Sequence, residues 1–187
     1  MDLALFKEFY DREWARHEHL QSAVNTPISI VTLLAGGLVL MGKGFESADA
    51  VLSRLFWGSA GVAAALVGVS GYLLVRSIHG YRYKRMPFLS ELAVHYQHLI
   101  EYYDLCGTPG LTSPVFNEHL AKRYMAVADY NAVNNFQREE YLYRANRFVI
   151  YALCATALAS VPAGIAIKTS AALAQDVRIT KPQEKRP

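Results

Sequence analysis

The chain has 187 residues, of which 52% are hydrophobic and 19% charged, and its formal net charge is +3 at pH 7. This length suits one domain of ordinary size, and this composition excludes an intrinsically disordered chain. The apolar residues are bunched, because residues 27–42, 55–75 and 148–167 contain no charged side chain. A helix of about 20 apolar residues crosses the hydrocarbon core of a bilayer. We therefore expect an all-α membrane protein with three transmembrane helices and not a soluble enzyme.

Residues 1–26 are predicted to form an amphipathic helix, because large side chains recur at spacings of three and four. Asn25 and Thr26 predict a helix cap, with Pro27 in the first helical position. The helix suits either the membrane interface or packing on a polar domain, and the sequence does not choose between them. Its stripe comprises Phe6, Phe9, Tyr10, Trp14, His17, Leu20 and Val24.

A transmembrane hairpin is predicted over residues 27–75, with spans at 27–42 and 55–75. The second span carries small residues four positions apart, a spacing that lets two helix backbones approach closely. Such a face suits packing within one subunit as well as contact between subunits. The predicted helix-packing or pore residues are Gly36, Gly37, Ala60, Gly61, Ala64 and Gly68.

A cytoplasmic helical domain is predicted over residues 76–147, between the second and third spans. Met86-Pro87 should break the chain before an amphipathic helix, and Ser113 should cap the next helix. Residues 115–161 contain neither Gly nor Pro, which predicts a very long helix leading into the third span. Its expected breakpoint is the asparagine group Asn131, Asn134 and Asn135.

The third span is predicted at residues 148–167 and should kink or end near Pro162. A polar tail follows at 168–187, and we expect disorder from Gln175 onward. The hydroxyl side chains in the spans are expected to bond to their own helices. The spans contain no Asp, Glu, Lys, Arg or His, which argues against an active transporter.

Lys and Arg residues flank the ends of the spans, and such residues favour the cytoplasmic side. They predict a multi-pass inner-membrane protein with a cytoplasmic amino terminus. The basic residues of the tail oppose three full crossings, and a third span that turns back near Pro162 is the alternative.

Tyrosines and cations mix densely in residues 76–147, as suits a nucleotide or a short single-stranded nucleic acid. The same residue types also anchor spans at the membrane interface and contact anionic lipid. The predicted ligand-binding residues are Arg76, Tyr81, Arg82, Tyr83, Lys84, Arg85, Lys122, Arg123 and Arg138.

The sequence supports metal binding and catalysis less strongly than it supports the binding of a nucleotide. His95 and His98 with Glu91 share one helix side but lack a clear further metal ligand. Arg12 and His17 fit an R-x4-H spacing found in some nucleases, a pattern short enough to arise by chance. We predict no metal site, no cofactor and no enzymatic activity, and rank a membrane-bound enzyme last among the hypotheses.

Two stretches resemble small bacterial membrane effectors of anti-phage defence systems in pattern. They are YDREWARHEHLQSAVNTPISIVTLLAGGL near the start and YNAVNNFQREEYLYRANRFVIYALCATAL before the third span. The nearest kinds are the Hailong-type ion-channel effectors, followed by the two-span effectors called SLATT. The resemblance implies an oligomeric channel whose cytoplasmic domain senses a nucleotide or oligonucleotide.

The resulting prediction is a homo-oligomeric channel or pore-forming effector in the lipid bilayer, with a tetramer as the expected assembly. A nucleotide or oligonucleotide on its cytoplasmic domain would gate it. The alternative is a non-conducting membrane scaffold or accessory subunit that binds a cytoplasmic protein partner.

Overall fold

The computed structural model describes residues 2–47 and 49–180, with side chains as far as Thr169. Within these residues the chain is all-helical and contains no strand. A short 3₁₀ turn at Pro109–Leu111 follows the fourth helix. The helices are α1 (Leu3–Ala23), α2 (Asn25–Gly44), α3 (Ala50–Ile78), α4 (Leu89–Leu105) and α5 (Thr112–Thr180).

Three helical stretches of the described chain are long and apolar enough to cross a membrane. They lie within Leu3–Gly44, Ala50–Ile78 and Pro109–Thr169. Large apolar side chains in these stretches point away from the chain's own core, and Leu33 and Leu158 are 76% and 68% exposed. Such exposure is unfavourable in water and normal in hydrocarbon, so it is compatible with a membrane protein.

The chain divides into two compact units. The first unit comprises Met1–Ala23 with Arg76–Glu140, and the second comprises Val24–Val75 with Tyr141–Pro187. The amphipathic helix α1 therefore groups with the polar region that follows α3, a choice the sequence left open. Helix α5 contributes residues to both units because it runs unbroken from Thr112 to Thr180.

The core of the second unit is built on two heptad patterns. The fully or almost fully buried residues Ala145, Ala152, Ala159 and Ala166 recur every seven positions on α5. Phe56, Ala63 and Ser70 do the same on α3. A seven-residue repeat keeps one face of each helix toward its partner, and alanine permits a short distance between the helix axes.

Two contacts show that α3 and α5 run antiparallel in the second unit. The Ser70 hydroxyl donates to the Ala145 carbonyl at 3.3 Å, and Val67 shares a buried cluster with Ala152 and Leu34. Ser70 thus departs from the expectation that span hydroxyls bond to their own helices. The expectation is confirmed for Ser29, Thr32, Ser59, Thr156 and Ser160.

Several predicted helix ends are wrong. Asn25 already belongs to α2, whose preceding residue Val24 has helical dihedrals and makes no side-chain cap. Helix α3 ends at Ile78, well before the predicted break at Met86-Pro87, because Gly80 adopts φ +99°. Glycine reaches this left-handed region without strain, which lets the chain leave the helix. Ser113 likewise lies inside α5 and does not cap it.

The predicted break at the asparagine group is also wrong. Helix α5 continues through Asn131, Asn134 and Asn135, because their amides bond to other segments and do not compete for their own backbone. The helix also continues past Pro162, where we expected a kink or an end, as far as Thr180. The expectation of a disordered tail from Gln175 is therefore wrong up to Thr180, and residues 181–187 lie outside the described residues.

Candidate functional site

A polar stripe on α5 organises the first unit. It consists of Asn131, Asn134, Asn135 and Arg138, whose spacing places all four on one helix face. Three of the four are nearly inaccessible, with exposures of 1% for Asn131, 0% for Asn135 and 4% for Arg138. Buried polar groups need hydrogen-bond partners, and here α1, the end of α3 and residues 79–88 supply them.

Asparagine side chains hold the backbone of the non-helical residues 79–88, hereafter the 79–88 segment. The Asn131 carbonyl oxygen accepts the Lys84 amide N–H at 3.0 Å, and its amino group donates to the Lys84 carbonyl at 3.0 Å. The Asn134 amino group donates to the Arg82 carbonyl at 2.7 Å. Because these bonds involve backbone atoms, the side chains of Arg82 and Lys84 are left to point outward, and both are exposed.

Arg138 joins three elements of the first unit. Its Nε donates to the Ser77 carbonyl in the last turn of α3 at 2.9 Å. Its Nη1 lies 2.7 Å from Nδ1 of His17 on α1 and donates to the Tyr83 hydroxyl at 3.0 Å. All three partners are neutral acceptors, so the fixed guanidinium fork acts as a positioning group.

Asn135 and Glu13 extend this network. The Tyr83 hydroxyl donates to the Asn135 carbonyl oxygen at 2.7 Å. The Asn135 amino group donates to the Glu13 backbone carbonyl at 2.8 Å and to its carboxylate at 3.0 Å. At the surface, Arg16 pairs with Glu139 and lies 3.7 Å from Glu13. Helix α1 is thus fixed to α5 by a chain of polar contacts.

The environment of His17 favours its neutral form. Desolvation by burial, followed by the nearby charge of Arg138, lowers the pKa of His17 below its ordinary value. The Tyr83 ring lies 3.9 Å away between ring centroids, and the Trp14 ring 5.6 Å away. A neutral imidazole presents an unprotonated nitrogen, which is what the N–H of Arg138 requires.

The cations of the 79–88 segment form an exposed basic-aromatic surface. The Lys84 ammonium lies 4.2 Å from the Tyr130 ring centroid, and the Arg85 guanidinium lies 5.3 Å from that of Trp14. Cations over aromatic faces keep their charge available to an anion while their position is restricted. With exposed Arg82, this surface has the chemistry to bind a phosphate group.

The structure does not bring all the predicted ligand-binding residues together. Arg82, Lys84 and Arg85 share the basic-aromatic surface, and Tyr83 and Arg138 belong to the buried network. Lys122 pairs with Glu118 at 2.7 Å on α5, and its neighbour Arg123 is exposed there. Arg76 is exposed in the last turn of α3 and Tyr81 is half-buried at the start of the 79–88 segment.

Sequence reasoning missed the residues that organise this site. The asparagines were interpreted as a helix break, although their spacing with Arg138 places four polar side chains on one face of a helix. The sequence placed His17 in the amphipathic stripe of the first helix and in the R-x4-H spacing with Arg12, and neither predicts a contact with Arg138. In the structure Arg12 is exposed over the Phe9 ring at 4.6 Å, while His17 contacts Arg138.

The two histidines that share one side of α4 in the sequence, His95 and His98, have different partners in the structure. The His95 ring lies 4.6 Å from that of His119 on α5, whereas His98 lies 3.9 Å from Glu101 and is exposed. Burial and the neighbouring His95 lower the pKa of His119. Across the described residues, no group of three or more His, Cys, Asp and Glu side chains could hold a metal ion.

The small-residue face of α3 lies away from the core of the second unit. Gly61, Ala64 and Gly68 are exposed, and a methyl group placed on either glycine would contact nothing within 4 Å. A methyl group placed on Gly36 or Gly37 of α2 would likewise contact nothing within 4 Å. Gly61 and Ala64 of this face also line, together with Gly42 and other residues of α2, a groove of about 510 Å³.

No family model, curated protein or solved structure matches the chain.

Proposed function

We propose that this protein is a homo-oligomeric membrane channel or pore-forming effector in bacterial anti-phage defence. In this proposal a nucleotide or oligonucleotide on the first unit gates the channel. The observation that carries it is the uncovered small-residue face of α3. Three helices from one chain do not enclose a water path, so conduction requires several copies.

The small-residue face supports self-association. Within hydrocarbon, helices associate through close backbone contact, which Gly61, Ala64 and Gly68 permit. The core of the second unit uses a different face of α3, on which Ala63 and Ser70 are fully buried. A second copy, arranged around a closed symmetry axis in an assembly such as a tetramer, would place one such face of each subunit beside its neighbour.

The basic-aromatic surface supports a phosphate-bearing ligand. Arg82, Lys84 and Arg85 extend from a backbone that Asn131 and Asn134 already hold, so binding would immobilise fewer groups. Tyr130 and Trp14 offer aromatic planes beside these cations. Helix α5 carries both the asparagine stripe and the third apolar stretch, so a ligand-dependent change at the stripe acts on a helix that enters the membrane.

The positions of the basic residues supply the orientation. With the amino terminus and the first unit in the cytoplasm, the basic groups before the first apolar stretch, after the second and before the third fall on the cytoplasmic side of the inner membrane, whereas Lys43, Arg54 and Lys168 fall on the other side. A cytoplasmic first unit would also have direct access to a nucleotide signal.

Two measurements test the proposal. The mass of the detergent-solubilised protein should exceed that of one chain, and Gly61→Leu should reduce it, whereas Val62→Leu at the adjacent exposed position should not. Current across planar bilayers should then change when nucleotides or oligonucleotides are added, and Arg82→Gln with Arg85→Gln should remove that response. An oligomer without conductance under any ligand condition would refute the channel.

A scaffold is the second candidate, and exposed apolar residues in and beside α4 favour it. Leu89 is 82% exposed, Leu105 90% and Val94 57%. Such residues suit a protein partner. A monomer in detergent that co-purifies with one stoichiometric partner, and loses it on Leu105→Ser, would support the scaffold over the channel.

A further inference from the structure

The contact between His17 and Arg138 exists in one protonation state only. Nη1 of Arg138 lies 2.7 Å from Nδ1 of His17, and a guanidinium nitrogen can only donate. His17 must therefore accept through an unprotonated Nδ1. A proton on Nδ1 would place two donors against each other and set a second positive charge beside a guanidinium that is 4% exposed.

The charged and titratable groups around His17 come from three elements. Arg138 on α5 and Arg85 in the 79–88 segment are both positive, so they disfavour the imidazolium. The neutral Tyr83 ring also lies beside the imidazole. On α1 itself, Glu18 favours the imidazolium. Glu13 is a turn away on α1 and is engaged by Asn135 and Arg16.

We propose that His17 is a proton sensor of the first unit, and that acidification protonates it and loosens the 79–88 segment from α5. The route runs through Tyr83, whose ring packs against that of His17 at an angle of 48° and whose hydroxyl bonds to both Arg138 and Asn135. When the His17–Arg138 contact breaks, Tyr83 loses its packing partner and Arg138 loses an acceptor. The inference stands whether or not the protein conducts ions.

Hydrogen exchange of the full chain in lipid nanodiscs tests this sensor. The Lys84 amide is the reporter, since its N–H donates to Asn131. With rates corrected for the intrinsic effect of pH, its protection should fall several-fold, to a maximum of about tenfold, between pH 7.5 and pH 5.5 in the wild-type protein, because a released imidazole with an ordinary pKa of about 6.5 binds its proton over this range. In His17→Asn, whose amide oxygen accepts in place of Nδ1 and does not titrate, protection should be independent of pH.

His98→Asn is the matched control, since His98 is exposed and lies next to Glu101 of its own helix. It should keep the full pH dependence. A wild-type protein without the fall, or an equal fall in His17→Asn, would overturn the proposal. If His17→Asn does not fold, NMR titration of the wild-type His17 ring decides, because a midpoint at or above the ordinary histidine value of about 6.5 also overturns it.

Discussion

Replacing Asn131 with alanine should release the 79–88 segment without unfolding α5. The substitution removes two hydrogen bonds to the Lys84 backbone, each 3.0 Å long, and the side chain that makes them is 1% exposed. Each bond contributes about 1 kcal/mol net, so opening of the segment should become easier by about 2 kcal/mol. Because α5 stays helical when the segment opens, the better helix propensity of alanine cancels between the two states.

A change of about 2 kcal/mol corresponds to an increase of about 30-fold in the opening equilibrium. Hydrogen exchange at the Lys84 amide measures it directly. Asn117→Ala is the control, because it makes the same chemical change at an exposed position of the same helix. An increase below threefold in Asn131→Ala, or an equal increase in the control, would refute the role assigned to the asparagine stripe.

Three further predictions test the packing and the protonation states. Tyr83→Phe keeps the ring and removes the hydroxyl between Arg138 and Asn135, so thermal unfolding should show a loss of about 1–3 kcal/mol. Ala152→Leu should destabilise the second unit by about 1–3 kcal/mol in detergent denaturation, since Ala152 is 0% exposed; Ala157→Leu, at an exposed position, should not. The pKa values of His17 and His119 lie below their ordinary 6.5. The unfolded chain therefore binds protons first as pH falls, so the melting temperature should stay constant from pH 8 to about 7 and decline below about 6.5, and a rise on acidification would contradict these assignments.

The apolar stretches were predictable because uncharged runs of helical length leave few alternatives in so short a chain. The residues at which the helices end were harder to predict. Helix α3 ends at Ile78, where Gly80 turns the chain, and not at Pro87, since either residue type can end a helix and only the fold selects which one does. Helix α5 continues through Pro162, whose missing N–H removes one hydrogen bond, a small part of a helix this long.

The candidate site was predictable in its surface and not in its interior. The exposed Arg82, Lys84 and Arg85 follow from local composition. The roles of Asn131 and Arg138 depend on segments far along the chain, since Asn131 bonds to Lys84 and Arg138 to His17. No local pattern specifies such pairings, and propensity alone assigns asparagine to turns.

The heptad of alanines on α5 could have been found from sequence. Ala145, Ala152 and Ala159 recur every seven positions, but they lie in a stretch so rich in small residues that the pattern does not stand out. Sequence reasoning instead selected Ala64 and Gly68 for packing, and both are exposed in the single chain.

The native cysteines offer the most direct test that the exposed apolar faces contact lipid. Both are exposed in the chain, Cys106 at the end of α4 and Cys154 within the third apolar stretch. Single-cysteine variants, Cys106→Ser and Cys154→Ser, should be treated with a charged maleimide in membranes opened to both sides. The account predicts rapid labelling of Cys106, and labelling of Cys154 only after denaturation in detergent, because hydrocarbon excludes the charged reagent. Equal labelling rates at the two cysteines in these membranes, before detergent is added, would contradict it.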